Sequence, residues 1–151
     1  MKAMSQEEIK SILENCKTVA VVGLSRDPSK DSHIAAQYLQ SVDYHIIPIN
    51  PFADEVLEEK SYKSILDVPK KIDVVDIFRP SKDVLAIVDD AIQLKNKIGS
   101  PIVIWMQLRI VNDEAAKRAR EAGFKVVMDR CMMKEHKRLT RERSTYSLKY
   151  M

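Results

Sequence analysis

Five short apolar stretches rich in β-branched residues, at positions 19–22, 45–49, 74–78, 102–105 and 125–128, constrain this chain more than any other feature. Their first residues lie 26, 29, 28 and 23 positions apart. Each stretch is too short for a helix and too continuously apolar for a strand with one wet face. Each therefore reads as a strand buried on both sides. Between them, apolar residues recur at spacings of three and four: Ile34, Ala35, Tyr38, Leu39 and Val42; Val84, Ile87, Val88, Ala91, Ile92 and Leu94; and Ala115, Ala116, Ala119 and Ala122. That is the period of amphipathic helices, and Gly123 follows the last set as a helix-closing residue. Ser5 with Glu8 forms a capping-box pattern for a first helix reaching about Glu14. Asn112 or Asp113 can cap the helix that follows it, and residues 131–139 read as a short helix. A strand, a helix and a strand in about 25–30 residues match the size of a βαβ crossover. The expected fold is α/β: one doubly wound, mainly parallel five-stranded sheet with helices on both faces.

Composition agrees with a single globular domain: 151 residues, 45% apolar and 31% charged. No apolar run reaches the ~18–20 residues that span a bilayer, and the polar N-terminus lacks a signal-peptide core. Neither membrane nor secretion is therefore expected. Cys16 and Cys131 are the only cysteines and lack metal-ligand spacing, which reads as a reducing, cytoplasmic setting. The net charge of +3 is unevenly placed: residues 134–151 carry six basic and two acidic side chains, a net +4, leaving −1 for the first 133. The body is thus no nucleic-acid surface. We divide the chain into a folded domain, 1–139, and a basic tail, 140–151. The tail reads as a solvated end, an arm on a partner subunit or a polyanion contact. A homo-oligomer stays open, since the exposed helices can pair.

Open parallel sheets bind ligands beyond the carboxyl ends of their strands, where the strand order reverses. The segments there are rich in turn-forming and polar residues. The first strand is followed by Gly23-Leu24-Ser25-Arg26-Asp27-Pro28-Ser29-Lys30-Asp31-Ser32. Gly23 permits a sharp turn and close approach of a ligand. Ser25 and Ser32 offer hydroxyls, and Lys30 places a positive charge at the start of the next helix, whose free amides favour anions. This combination reads as a phosphate site, against the alternative of a plain connecting loop. The dinucleotide fingerprint fails, because Ser25 and Pro28 occupy its other glycine positions and the second strand ends Pro48-Ile49-Asn50-Pro51 without a ribose-binding acid. A nucleotide bound without that acid can carry a phosphate on the ribose itself, as coenzyme A does.

Taken in order, Val21-Val22-Gly23-Leu24-Ser25, Lys30-Asp31-Ser32, Pro48-Ile49-Asn50-Pro51, Asp73-Val74-Val75-Asp76-Ile77-Phe78-Arg79, Trp105-Met106-Gln107, Asn112-Asp113-Glu114-Ala115 and Val127-Met128-Asp129-Arg130-Cys131 resemble the small stand-alone CoA-binding proteins of Rossmann-like fold. These are similar to the N-terminal domain of the succinyl-CoA synthetase α subunit. The resemblance covers about residues 15–135. The family pattern has glycine where this chain has Arg109, so the turn after Gln107 departs from it and gains a cation.

The resemblance implies coenzyme A as the ligand. Gly23, Leu24, Ser25, Lys30 and Ser32 would surround the phosphates, with Arg26 toward the 3′-phosphate. Asn50 and Pro51 would line the nucleotide side. Ile77, Phe78 and Arg79 would meet the adenine or the pantetheine arm; the alternative for Arg79 is an ion pair on the sheet rim. Trp105 and Gln107 end the fourth strand, and a tryptophan there is also a common core residue. Cys131, beside Arg130 at a helix start, can form a mixed disulfide with the CoA thiol; the alternative is an inert thiol. His33 can donate to phosphate, but no catalytic constellation assembles around His33, His45 or His136. The leading expectation is a CoA or acyl-CoA carrier, sensor or thiol protector that is not an enzyme. The alternatives are an NAD-linked oxidoreductase, a non-catalytic subunit of an acyl-CoA transferase or ligase, or a regulatory partner without ligand.

Overall fold

A computed structural model describes residues 4–150, with side chains described through Arg141. The elements in chain order are α1 (Gln6–Asn15), β1 (Thr18–Val22), α2 (Asp31–Ser41), β2 (His45–Ile49), β3 (Glu55–Val56), β4 (Glu59–Lys60), β5 (Val74–Ile77), α3 (Val84–Ile98), β6 (Val103–Met106), α4 (Asp113–Glu121), β7 (Lys125–Val127) and α5 (Met132–Tyr150). The main sheet runs β2-β1-β5-β6-β7, and every neighbouring pair is parallel. The five buried stretches of the sequence are these five strands. The chain leaves β1 for β2 on one side and reaches β5 on the other, so the strand order reverses between β1 and β5.

Alternation along each strand divides the core in two. Val19, Val21, Val74, Val103, Trp105 and Val127 pack with α1, α2 and α5. Ala20, Val22, Val75, Ile77, Ile104 and Met106 pack with α3 and α4 on the other face. Both faces are dry because parallel strands with crossover helices must bury both. The caps follow the sequence: Ser5 and Glu8 form a reciprocal capping box on α1, and Asn112 Oδ1 accepts from the Ala115 amide at 2.9 Å to start α4.

The structure adds to the sequence pattern in two segments. The connection from β2 to β5 holds no α-helix; it forms the β3–β4 hairpin and a 3₁₀ turn at Ile65–Asp67. Residues 50–73 lack a sustained three-and-four apolar repeat, and the chain folds back on β2 instead. The Tyr62 amide donates to the Pro48 carbonyl at 3.0 Å, and the Asn50 amide donates to the Tyr62 carbonyl at 2.9 Å. The last helix runs through 140 to Tyr150, where the sequence reading ends a helix at 139. Neither glycine nor proline interrupts it, and Thr140 Oγ1 donates back to the His136 carbonyl at 3.1 Å. The basic side chains Arg143 and Lys149 of the expected tail lie outside the described side chains.

Gly23 has φ +88°, and a Cβ built on it would lie 2.5 Å from the Phe78 carbonyl oxygen. Gly99 has a similar φ of +82° with nothing within 4 Å of its Cβ position. Alanine in the left-handed region costs roughly 1–2 kcal/mol. Gly99→Ala is therefore expected to lose about that much in urea-denaturation stability, and Gly23→Ala clearly more. Equal losses at the two positions would contradict a steric role for Gly23.

Candidate functional site

The β1–α2 segment sits at the reversal point and is organised by its own side chains. The Gly23 amide donates to the Ile49 carbonyl at 3.0 Å, joining the turn to the end of β2. Ser32 Oγ accepts from the Ser25 amide at 3.0 Å, and Ser25 Oγ accepts from the Asp27 amide at 3.0 Å. The Asp27 carboxylate accepts from the amide and hydroxyl of Ser29, which holds its pKa below the usual carboxylate range. His33 Nδ1 lies 2.8 Å from the Ser25 carbonyl, an acceptor only, so this nitrogen carries the proton and is committed to the loop.

These bonds leave the start of α2 open. Lys30 stands at the N-cap and provides no capping acceptor. The amides of Asp31, Ser32 and His33 precede the first intrahelical bond, which runs from Ile34 to the Lys30 carbonyl at 3.0 Å. Three helix-start amides with an exposed lysine ahead of them make an anion-binding geometry. Asp27 and Asp31 offset Arg26 and Lys30 in formal charge, so amides and the helix dipole supply most of its positive potential.

Asn50 has a structural place here. Its Nδ2 donates to the Leu24 carbonyl at 3.0 Å, and its Oδ1 accepts from the Phe52 amide at 2.8 Å. It ties the end of β2 to the first loop. Pro51 is exposed beside it, and Phe52 is 85% exposed at the same edge, an aromatic the sequence reading passed over. Leu24 is fully buried beneath the turn.

A cleft of ≈ 180 Å³ opens beside this segment, between α2 and α5. Ile34, Ala35, Phe78, Gln107, Cys131 and Met133 are among its lining residues. The structure thus brings Phe78, Gln107 and Cys131 to one cavity. It does not bring Ile77 or Trp105 there. Ile77 is fully buried on the α3–α4 face, and Trp105 is fully buried on the α1–α2–α5 face with Nε1 donating to the Arg130 carbonyl at 2.8 Å. Both are core residues, because each strand end is covered by a helix. Arg79 forms a rim ion pair with Asp83 at 3.0 Å. Cys131 is a partly buried free thiol whose carbonyl accepts the first bond of α5, from the Glu135 amide at 2.9 Å. The cation beside it is already partnered, Arg130 to the buried Glu135 at 3.0 Å. Cys16 is buried, and burial, reinforced by Asp73, pushes its thiol pKa up.

The glycine position of the family pattern keeps its conformation without glycine. Arg109 has φ +69°, and its amide donates to Asp129 Oδ1 at 2.6 Å. That charge-assisted bond offsets the left-handed backbone.

Asp76 is the buried residue that sequence reasoning did not single out. It lies on β5, fully buried among apolar neighbours. Its Oδ1 accepts from Gln107 Nε2 at 2.6 Å, while Oδ2 has no hydrogen-bond partner among the described residues. Burial pushes its pKa up to about 7, opposed by the Gln107 bond. A carboxylate inside an otherwise apolar central strand was the available signal.

The fold is an α/β domain with an open helix start at the strand reversal and a narrow cleft beside it. The sequence profile described as CoA binding domain matches residues 17–137, and the chain belongs to that family. It is 37% identical to the uncharacterized protein YneT of Bacillus subtilis, over 90% of this chain and 97% of that protein. A hypothetical protein from Pyrococcus horikoshii has the same fold, with a TM-score of 0.85, 40% identity and coverage of 93% of this chain and 97% of that one. The chain is also 32% identical to part of the ADP-forming 4-hydroxybutyrate–CoA ligase of Nitrosopumilus maritimus, matching over 77% of its own length and 18% of the ligase. It is thus a CoA-binding domain related both to small proteins of its own size and to segments of ADP-forming CoA ligases. Among the described residues, no helix is long and apolar enough to cross a membrane, and no cluster of side chains is suited to hold a metal ion.

The Asp76 carboxyl holds its proton to about pH 7 in the fold and releases it near 3.8 when unfolded. Between those values the folded state binds more protons, so this group lowers stability progressively as pH rises and adds nothing further above 7. A gap of about three pK units corresponds to roughly 4 kcal/mol. Asp76→Asn keeps a hydrogen bond to Gln107 without a charge. Its stability relative to the wild type is expected to climb from pH 4.5 to 8 in urea titrations; a pH-independent difference would contradict the burial of an ionisable group.

Proposed function

We propose that this protein binds coenzyme A at the carboxyl edge of the sheet and acts through binding, as a carrier, sensor or protector of the CoA thiol, rather than as a catalyst. The single observation that carries the reading is the open start of α2. Lys30 and the Asp31, Ser32 and His33 amides are presented beside the Gly23 turn at the strand reversal. Membership of the CoA-binding family supports the choice of nucleotide. The residues fit the group: the phosphates would lie on the helix start, with Ser25 and Ser32 fixing the loop and Arg26 toward the 3′-phosphate. Asn50 and Pro51 form the nucleotide wall. The pantetheine arm would enter the cleft between α2 and α5, past Phe78 toward Gln107 and Cys131.

The thiol end of the arm then lies near Cys131, and thiol–disulfide exchange is the chemistry we assign there. The Cys131 thiolate attacks one sulfur of CoA disulfide, and the other half leaves as CoA thiolate. The product is a Cys131–CoA mixed disulfide, with no net electron transfer to the surroundings. A second reading rests on the ligase relatives. The chain would serve as a detached CoA-binding subunit for a separate ligase chain, since it matches only 18% of such an enzyme.

Thermal shift separates these ideas from other nucleotides. A ligand at 100 times its Kd stabilises by about 2.7 kcal/mol. CoA is expected to raise Tm, dephospho-CoA less and NAD not at all. Lys30→Ala should weaken CoA roughly fivefold to tenfold. A larger shift with NAD than with CoA would overturn the assignment. Intact mass after treatment with CoA disulfide should show one reducible CoA adduct that Cys131→Ser abolishes; an adduct that persists in Cys131→Ser would refute exchange at Cys131.

A further inference from the structure

Asp76 and Gln107 form a pair in which only one member reaches the cleft. Gln107 is 2% exposed and lines it, while Asp76 is fully covered behind it. A buried carboxyl with one unused oxygen costs stability, and proteins retain such groups chiefly at working sites. Its geometric effect is specific. A glutamine carboxamide has a donor end and an acceptor end of nearly equal shape. Above about pH 7, where the Asp76 carboxyl is ionised, it only accepts. With Nε2 drawn to Asp76 Oδ1 at 2.6 Å, the carbonyl oxygen Oε1 is the end left to the cleft. Much of the remaining wall is apolar, including Ile34, Ala35, Phe78, Ile110 and Met133. Asp31 and Lys134 also line the cleft, and a slot with largely apolar walls and an oriented acceptor at the buried Gln107 fits a slender chain whose methylenes are interrupted by an N–H.

We propose that Gln107 is a specificity-determining residue for the pantetheine arm, accepting one of its amide N–H groups on Oε1, and that Asp76 is a positioning residue that holds the carboxamide in that orientation. This rests on the CoA reading above and goes further, because it assigns the arm and the nucleotide to different halves of the site. The nucleotide half is the start of α2. The arm half is the Asp76–Gln107 floor, which a nucleotide lacking the arm does not touch.

The test compares CoA with 3′,5′-ADP, which carries the 3′-phosphate and the inner 5′-phosphate without the arm, by calorimetry on the intact protein at pH 8. Gln107→Met keeps the bulk and removes the acceptor. It is expected to weaken CoA roughly tenfold and leave 3′,5′-ADP unchanged. Asp76→Asn fills the same space but offers both a donor and an acceptor, so the carboxamide is no longer held one way round. It should weaken CoA about twofold to fivefold, again without effect on 3′,5′-ADP, even though its fold is more stable at pH 8. Binding of 3′,5′-ADP is the folding control for each variant. Unchanged CoA affinity in Gln107→Met, or equal losses for the two ligands, would overturn the inference while leaving CoA binding intact. A wild-type protein that binds neither ligand would overturn the CoA reading and this inference together.

Discussion

The close approach of two strand ends at the reversal point governs the rest of the structure. The turn after β1 passes so near the Phe78 carbonyl that the Gly23 position has no room for a side chain. The same glycine donates its amide to the end of β2 at Ile49. Three strand ends therefore meet at one residue, and α2 starts from that fixed point. Asn50 reinforces the junction from β2 by holding the Leu24 carbonyl. Because the turn is pinned on both sides, the first-turn amides of α2 are presented as a rigid group. A rigid donor set binds an anion without first losing the entropy of a mobile loop.

The second constraint is electrostatic. A carboxyl inside the sheet opposes stability above its unfolded pKa, and the fold retains it one step from the cleft. The same face of the sheet carries Trp105, whose indole N–H is satisfied by Arg130, and the buried Glu135, which is held by Arg130 and Arg138. Buried polar groups on this face are thus paired, and the unused Asp76 oxygen stands out against them. Such a group is explained by the orientation it imposes on Gln107 rather than by any gain in packing.

Relatives of this chain's own length and the much longer ligases share one domain. The physical basis is visible in the fold. Both faces of the sheet are covered by the chain's own helices, α1, α2 and α5 on one side and α3 and α4 on the other. The domain therefore has two complete apolar cores, and the edge we propose for binding lies at the strand ends. An edge of that kind can serve alone or beside further domains without rebuilding the interior.

The sequence by itself determined the five strands, their sidedness and the caps of α1 and α4, because those features depend on local pattern: continuous β-branched runs, three-and-four spacing, and Ser5 or Asn112 at a helix start. It also marked the edge where Gly23, Lys30 and Ser32 meet, since strand polarity follows from the βαβ order. Tertiary structure alone decided which residues there are surface and which are core. Trp105 and Ile77 sit at strand ends in the sequence, yet helices packed over them bury both. The helix-free return after β2 was likewise settled by long-range pairing, whereas the run of α5 to Tyr150 accords with a local feature, the absence of a breaker. The Asp76–Gln107 pair joins positions 31 apart on neighbouring strands. No periodicity within a segment encodes a contact across the sheet, so only the folded register could bring that carboxyl and that amide together.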